Sequence, residues 1–276
     1  MSEAIGIPAG ILDVEKRGAG DPVVFIHPFM TDLQHWRKVV ALLEPHMHCI
    51  TPTMPLGSHR RPMRGDADLS PPGQARIVID LLDTLGIEKA TLVGNDTGGA
   101  IAQIAAALEP TRVSRLVLAS CDAYDVFPPR MFAYLKLAAR VPGATWMLAQ
   151  SMRIPGVTQL PIAYGWVASH PLDRALVKGY TTSLRKREIR RDVNKVIRGL
   201  DTKHTIEAAR ALRTIDRPVL IAWGAEDRFF PRRIAERLAR ELPNAQLEYI
   251  PDAATFIPED NPRALGDAIA KFVAST

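Results

Sequence analysis

The sequence predicts an α/β protein, a mostly parallel sheet with helices on both faces that is interrupted by a helical insertion. Three observations carry this expectation. Short, unbroken runs of β-branched and aromatic residues recur, as strands buried on both faces require. Segments of helical period separate them, and that alternation makes a parallel sheet. Residues 122–215 then interrupt the rhythm with helical pieces and no convincing buried strand.

The first such run spans 22–27, Pro-Val-Val-Phe-Ile-His, and a helix over 33–43 follows with Trp36, Val39, Val40 and Leu43 on one face. A strand near 49–53 precedes a helix over 72–85, opened by Pro72 and ended by Gly86, the usual asymmetry of helix ends. Residues 90–94 form the next strand and 97–108 an Ala-rich helix stopped by Pro110. Residues 113–120 give another strand. After the insertion the alternation resumes with a strand at 218–223, a helix at 232–242, a strand at 247–250 and a final helix at 262–273. The domain reading is therefore a core of 1–121 and 216–276 carrying a helical cap of 122–215.

Composition narrows the class. Of 276 residues, 47% are hydrophobic and 24% charged, which excludes both a disordered chain and a collagen-like fibre. Two cysteines, Cys49 and Cys121, make neither a disulfide framework nor a zinc site. No apolar run reaches the roughly 18 residues of a membrane span, and the first residues lack a basic segment followed by an apolar one. The expectation is a cytoplasmic monomer or homodimer without metal or cofactor, acting on a small molecule and not on nucleic acid or membrane. The formal net charge is +5, yet 122–215 holds 16 Lys and Arg against 7 Asp and Glu, so a basic insertion sits on a mildly acidic core. Its densest stretch, residues 185–191, falls on a helix with apolar face Leu184, Ile189, Val193, Val196, Ile197 and Leu200. With no interleaved aromatic platform, that stretch reads as a solvated helix face and not as a nucleic-acid surface.

Chemistry enters at Gly94-Asn95-Asp96-Thr97-Gly98-Gly99, between the strand at 90–94 and the Ala-rich helix. A small-x-nucleophile-x-small turn at a strand-to-helix junction is a nucleophile elbow. Its glycines permit a tight turn that lifts the central side chain, here Asp96, above the carboxyl edge of the sheet. A carboxylate there can attack carbon bearing a leaving group and form an ester. Two other readings of the turn exist. An aspartic protease needs two such aspartates in β-rich halves, whereas this motif occurs once and opens a helix. A plain N-capping Asp is the second.

On these residues the sequence resembles the α/β-hydrolase superfamily, in its haloalkane dehalogenase and epoxide hydrolase branch, over nearly the whole chain. The resemblance implies the α/β-hydrolase fold with a helical cap inserted after the sixth core strand. Val24-Phe25-Ile26-His27-Pro28-Phe29 resembles the family's loop after the first parallel strand, with Pro28 where Gly is usual. The resemblance makes the backbone N–H groups of Phe29 and Thr97 an oxyanion hole, places His27 beneath that loop, and points to Asp227 in the segment 220–231 as the acid. The family's His-bearing segment, of the type Pro-Asp-Ala-Gly-His-Phe, is matched by Pro251-Asp252-Ala253-Ala254-Thr255-Phe256, which puts Thr255 at the His position. A Thr hydroxyl is no general base near neutral pH. Loss of a base worth 10²–10⁴-fold should leave ester formation possible and ester hydrolysis slow. Thr97 also stands where dehalogenases carry an aromatic or Arg halide holder. In the epoxide branch a cap tyrosine protonates the leaving oxygen. Tyr124 and Tyr164 are the candidates carried forward, with Tyr134 and Tyr180 in the same insertion. No histidine lies beyond His204; a substitute would have to be His35, His59, His170 or His204.

Four readings stay open on sequence. The first is an Asp-nucleophile hydrolase acting on an epoxide, alkyl halide or ester, with its base supplied elsewhere, such as Asp227 through water. The second is a lyase, isomerase or cyclase on the same scaffold. The third is a silent binding protein, and the fourth a deliberate replacement of the His that traps the ester. Fold alone does not choose among them.

Overall fold

A computed structural model describes residues 2–276. Eight strands form one sheet in the order β1-β2-β4-β3-β5-β6-β7-β8. The first two, β1 (Glu3–Ile7) and β2 (Gly10–Arg17), make an antiparallel hairpin at one edge, and β2 pairs antiparallel with β4. The other strands run parallel: β3 (Pro22–Ile26), β4 (His48–Pro52), β5 (Ala90–Asp96), β6 (Val113–Cys121), β7 (Pro218–Gly224) and β8 (Asn244–Ile250). The hairpin escapes the sequence reading for a physical reason. As an edge element it buries alternate residues only, Leu12 and Val14 inward and Ile11 outward, so it never shows the unbroken apolar run of the central strands. The same alternation in β8 hides its first three residues.

Helices α1 (Arg37–Leu43), α2 (Pro71–Thr84) and α3 (Thr97–Leu108) precede β6. Between β6 and β7 lie α4 (Tyr134–Ala138), α5 (Ala144–Ser151), α6 (Arg174–Thr182), α7 (Arg187–Gly199) and α8 (Thr202–Leu212), with short 3₁₀ turns among them. Then come α9 (Arg232–Glu241), α10 (Ile257–Asp260) and α11 (Pro262–Ser275). Among the described residues, no helix is long and apolar enough to cross a membrane.

Side-chain alternation along the central strands sorts the core into two layers. Val24, Ile26, Leu92, Leu116 and Leu118 pack with residues of α2, α3, α8 and α9. Val23, Phe25, Val93, Val117 and Leu220 pack on the other face with residues of α1 and α11. This is the mostly parallel sheet covered on both faces that the sequence predicts, with helical elements entering after the sixth strand.

Helix α7 explains the basic stretch. Its apolar face is buried, and its cations reach back to main-chain carbonyls of the loop after β4: Lys186 to Arg60, Arg191 to Met63, and Lys195 to Gly65 and Ala67. Buried Asp192 accepts the Met63 N–H at 2.9 Å, contacts His59 Nε2 at 3.3 Å and pairs with Arg191. These bonds clamp α7 over the carboxyl edge of the sheet, where ligands of open α/β sheets bind.

The glycines of the β5–α3 turn are fixed by close approach. A Cβ at Gly98 would lie 2.1 Å from the Ile26 carbonyl oxygen, one at Gly94 2.3 Å from the Gly98 carbonyl oxygen, and one at Gly99 2.3 Å from Cys121 Cβ. All three neighbours are backbone or Cβ atoms that no rotamer change can withdraw. Gly98→Ala should therefore cost more than about 2 kcal/mol of stability, read as a lowered urea midpoint. An unchanged midpoint would mean that α3 slides away from β3 at little cost.

Candidate active site

Asp96 is the last residue of β5 and stands at φ +53°, ψ −125°, a backbone conformation that L residues avoid. The turn brings its carboxyl group toward two main-chain N–H groups, those of Thr97 and Phe29, which favour its charged form. One comes from the first turn of α3, the other from the loop after β3. The neighbouring Asn95 ties the strands together behind it. Its amide nitrogen donates to the carbonyls of Ala119 (2.7 Å), Ser120 (3.1 Å) and Thr255 (2.8 Å), while its oxygen bonds buried His35 Nε2 at 2.8 Å. The β5–β6 register slips beside Asp96, and Ser120 takes a positive φ there, a bulge of the kind that re-aims side chains next to sites.

Above Asp96 lies a cavity of about 140 Å³ between the sheet edge and the helices that follow β6. Its wall is mainly apolar, with Phe132, Val193, Ile197, Phe229 and Phe256 among the contributors, and Arg190 is its lone cation. Phe29, Asp96, Thr97, Tyr164 and Thr255 all line it. Asp227 stands directly behind Thr255, whose hydroxyl donates to Asp227 Oδ1 at 2.9 Å. The same oxygen accepts the N–H groups of Phe229 (2.8 Å) and Phe230 (2.9 Å), whereas the buried Oδ2 has no hydrogen-bond partner among the described residues.

Other sequence candidates lie elsewhere. His27 is buried beneath the loop after β3 and does not line the cavity: Nε2 accepts the Met54 N–H at 2.8 Å and Nδ1 faces the Pro28 carbonyl at 2.8 Å. Both ring nitrogens are engaged, and burial holds its pKa down to about 3, so it is neutral and structural. Tyr124 is also absent from the lining; its hydroxyl donates to Glu241 at 2.9 Å under the Arg237 guanidinium, an anchor to α9. Tyr164 and Tyr134 do reach the cavity, yet their hydroxyls donate to the carbonyls of Met30 (2.5 Å) and Ile162 (3.1 Å). His35 is kept neutral by burial, with its pKa near 4, and sits between Trp36 and Phe256. His59 pairs with Asp192, His170 is exposed near Asp260, and His204 lies on α8. Among the described residues, no imidazole lines the cavity.

Sequence reading also passed over Asp122, which is 1% exposed and follows β6 directly. The Thr97 hydroxyl lies 3.4 Å from Asp122 Oδ2 and 3.5 Å from Asp96 Oδ2, linking the two carboxyl groups. Its place at the carboxyl end of a central strand was the available signal. Burial pushes the Asp96 carboxyl up to about 7, against the pull of the Thr97 and Phe29 N–H groups and with help from the Asp227 charge. Asp122 is pushed well above the usual carboxylate range, first by burial and then by the charge of Asp96. Asp227 is also raised by burial, opposed by the Phe230 N–H group, the Ser120 hydroxyl, the Phe229 N–H group and the Thr255 hydroxyl.

With this geometry in view, residues 21–262 match the family model of the alpha/beta hydrolase fold, and the chain belongs to that family. It is 24% identical over 267 residues to haloalkane dehalogenase 2 of Mycobacterium tuberculosis, covering 94% of this chain and 90% of that protein. It is likewise 24% identical over 277 residues to a cis-3-alkyl-4-alkyloxetan-2-one decarboxylase of Shewanella oneidensis, covering 95% of this chain and 84% of that protein. Among solved structures it superposes on the epoxide hydrolase CorEH with a TM-score of 0.83 at 20% identity, covering 100% of this chain and 99% of that one.

The raised carboxyl group has a consequence for stability. Asp96 keeps its proton in the folded state up to about pH 7, whereas the unfolded chain releases it near pH 3.9. The stability it contributes is thus full below about pH 4 and lost as pH rises through about 7. Asp96→Asn should match the native melting temperature at pH 4 and exceed it by roughly 3–6 °C at pH 8. Equal melting temperatures at both values would contradict a proton-retaining Asp96.

Proposed function

We propose that the protein is a hydrolase-type enzyme that uses the Asp96 carboxylate as a nucleophile toward a small, largely apolar organic substrate. The observation that carries this reading is the elbow itself: a half-buried Asp held at φ +53° and facing an apolar cavity, with the N–H groups of Thr97 and Phe29 turned toward its carboxyl group. A carboxylate so placed attacks the carbon bearing the leaving group. The new C–O bond forms as the bond to the leaving group breaks, and that group departs with the electron pair. The cavity excludes water from the charged reactants and holds the carbon close to Asp96.

The second half-reaction differs from that of an enzyme with a base-bearing triad. Thr255, which the family resemblance aligns with the histidine, donates to Asp227 and cannot deprotonate water. The acceptor left for a water proton is the Asp227 carboxyl group, which stands behind Thr255 and outside the cavity lining, so the ester is expected to hydrolyse slowly. A second reading, a lyase, is favoured by the cavity tyrosines. Both donate to backbone carbonyls, leaving no phenol proton aimed at a departing alkoxide. Such a site suits leaving groups that depart as stable anions, and release of product by elimination or fragmentation would need no activated water. The likeness to a decarboxylase agrees with that alternative.

The test is incubation with 1-bromohexane, 1,2-epoxyhexane and hexyl ester panels while intact mass and product are followed. A mass increase on the native protein that is lost in Asp96→Ala supports the nucleophile. An elimination or fragmentation product without adduct, absent from Asp96→Ala, supports the lyase reading, whereas an alcohol or diol product supports hydrolysis. Neither adduct nor turnover across the panel would sink both. Thr255→His should convert a persistent adduct into turnover, with hydrolysis faster by about 10²-fold or more. Adduct formation should rise about tenfold per pH unit below 7 and level off above it, since only the ionised carboxyl attacks. A flat profile from pH 5 to 8 would contradict the buried-nucleophile assignment.

A further inference from the structure

Asp122 is a fully enclosed carboxyl group that the chemistry above leaves unused. Its Oδ2 faces the Thr97 hydroxyl, and its Oδ1 is buried with no hydrogen-bond partner among the described residues. Around it stand Asp96 at the end of β5, Asp227 beyond β7 and the buried thiol of Cys121. From α3 comes Gln103, whose amide donates to the Asp122 carbonyl at 2.9 Å and to Cys121 Sγ at 3.7 Å. Among the described residues no Lys or Arg bears on the Asp122 carboxyl group. A charge on Asp122 would therefore be buried, unpaired and surrounded by like charge, the costliest arrangement for a carboxylate.

The Thr97 hydroxyl resolves which carboxyl group is ionised. It has one proton and two carboxyl neighbours, at 3.5 and 3.4 Å. If both carboxyls were anions, one oxygen–oxygen contact would have no proton in it. The N–H groups of Thr97 and Phe29 are turned toward the Asp96 carboxyl group and favour its charge, whereas no main-chain N–H favours a charge on Asp122. The negative charge is thus better served on Asp96 and the proton on Asp122.

Resting on the assignment of Asp96 as nucleophile, we propose that Asp122 is a positioning residue held as a neutral acid. Its proton is donated to Thr97 Oγ, which turns the Thr97 hydroxyl onto Asp96 and leaves Asp96 the ionised member of the pair. Asp122 touches no substrate; it acts through Thr97. The direction of the chain, Asp122 to Thr97 to Asp96, follows from the number of donors at each end. Proton sharing of this kind makes the titration a property of the pair.

Two measurements test this, and they fail independently. In the first, the pH profile of Asp96 alkylation by the reactive member of the panel is recorded for Asp122→Asn, Asp122→Leu and Thr97→Val. The Asn side chain still donates to Thr97 Oγ, so Asp122→Asn should keep the profile midpoint within about 0.3 pH units of the native one. Asp122→Leu and Thr97→Val lose the donor to Asp96 and should raise the midpoint by roughly half to one unit, slowing alkylation at pH 7 about three- to tenfold. A midpoint lowered by a full unit in Asp122→Asn would overturn the proposal, because it would mean that an ionised Asp122 had been repelling the charge on Asp96. An equal shift in Asp122→Asn and Asp122→Leu would overturn it as well. In the second, the native protein carrying ¹³C-carboxyl aspartate is titrated by NMR without any substrate. A protonated carboxyl resonance at pH 7 that disappears in Asp122→Asn is expected, and an ionised Asp122 at that pH refutes the proposal whether or not Asp96 can be alkylated.

Discussion

The backbone of one residue organises the carboxyl edge of this sheet. Asp96 takes a positive φ that an L side chain resists, and it persists because the surroundings over-determine it. Gly94, Gly98 and Gly99 let α3 press against β3 and β6 at distances that a Cβ would forbid. Asn95 bonds three carbonyls on β6 and on the loop carrying Thr255. Strain at residue 96 is therefore held by packing on one side and by hydrogen bonds on the other. The carboxyl group, the Phe29 and Thr97 donors and the Thr255–Asp227 pair share one place because this turn fixes them all.

The site's electrostatics follow from that placement. Three carboxyl groups, Asp122 buried and Asp96 and Asp227 half-buried, meet at the sheet edge, which is costly unless protons are retained or N–H groups are supplied. The fold supplies N–H groups unequally: two to Asp96, two to Asp227 and none to the side chain of Asp122. That inequality sets Asp122 apart from the other two. It ranks groups that composition alone makes identical, and it gives Thr97 two tasks, one through its backbone and one through its hydroxyl.

The helical segment between β6 and β7 closes the cavity through polar contacts as much as apolar ones. Asp192 with His59, and the lysine and arginine donors of α7 with the loop after β4, hold the roof in place. The basic character of this segment is thereby accounted for in part by carbonyls that need donors. The same polar anchoring explains Tyr124, which serves α9 and not the cavity.

By itself the sequence determined what is local. Unbroken apolar runs marked the central strands, helical periodicity marked the helices, and the glycine turn marked Asp96 as a side chain lifted from the sheet. The expectation of a hydroxyl at Thr255 in place of an imidazole rests on the resemblance of Pro251, Asp252, Ala253 and Phe256 to the family's segment. The edge hairpin and the start of β8 were illegible because half-buried strands alternate and lack such runs. Only the tertiary structure decided which distant groups share the cavity. It brought Tyr164 to the wall, left Tyr124 and His27 outside it, and set Asp122 against Thr97. The reason is that burial and turn geometry are encoded over a few residues. The meeting of a β5 carboxyl, a β6 carboxyl and a loop beyond β7 depends on strand order and register, which no short stretch of chain contains.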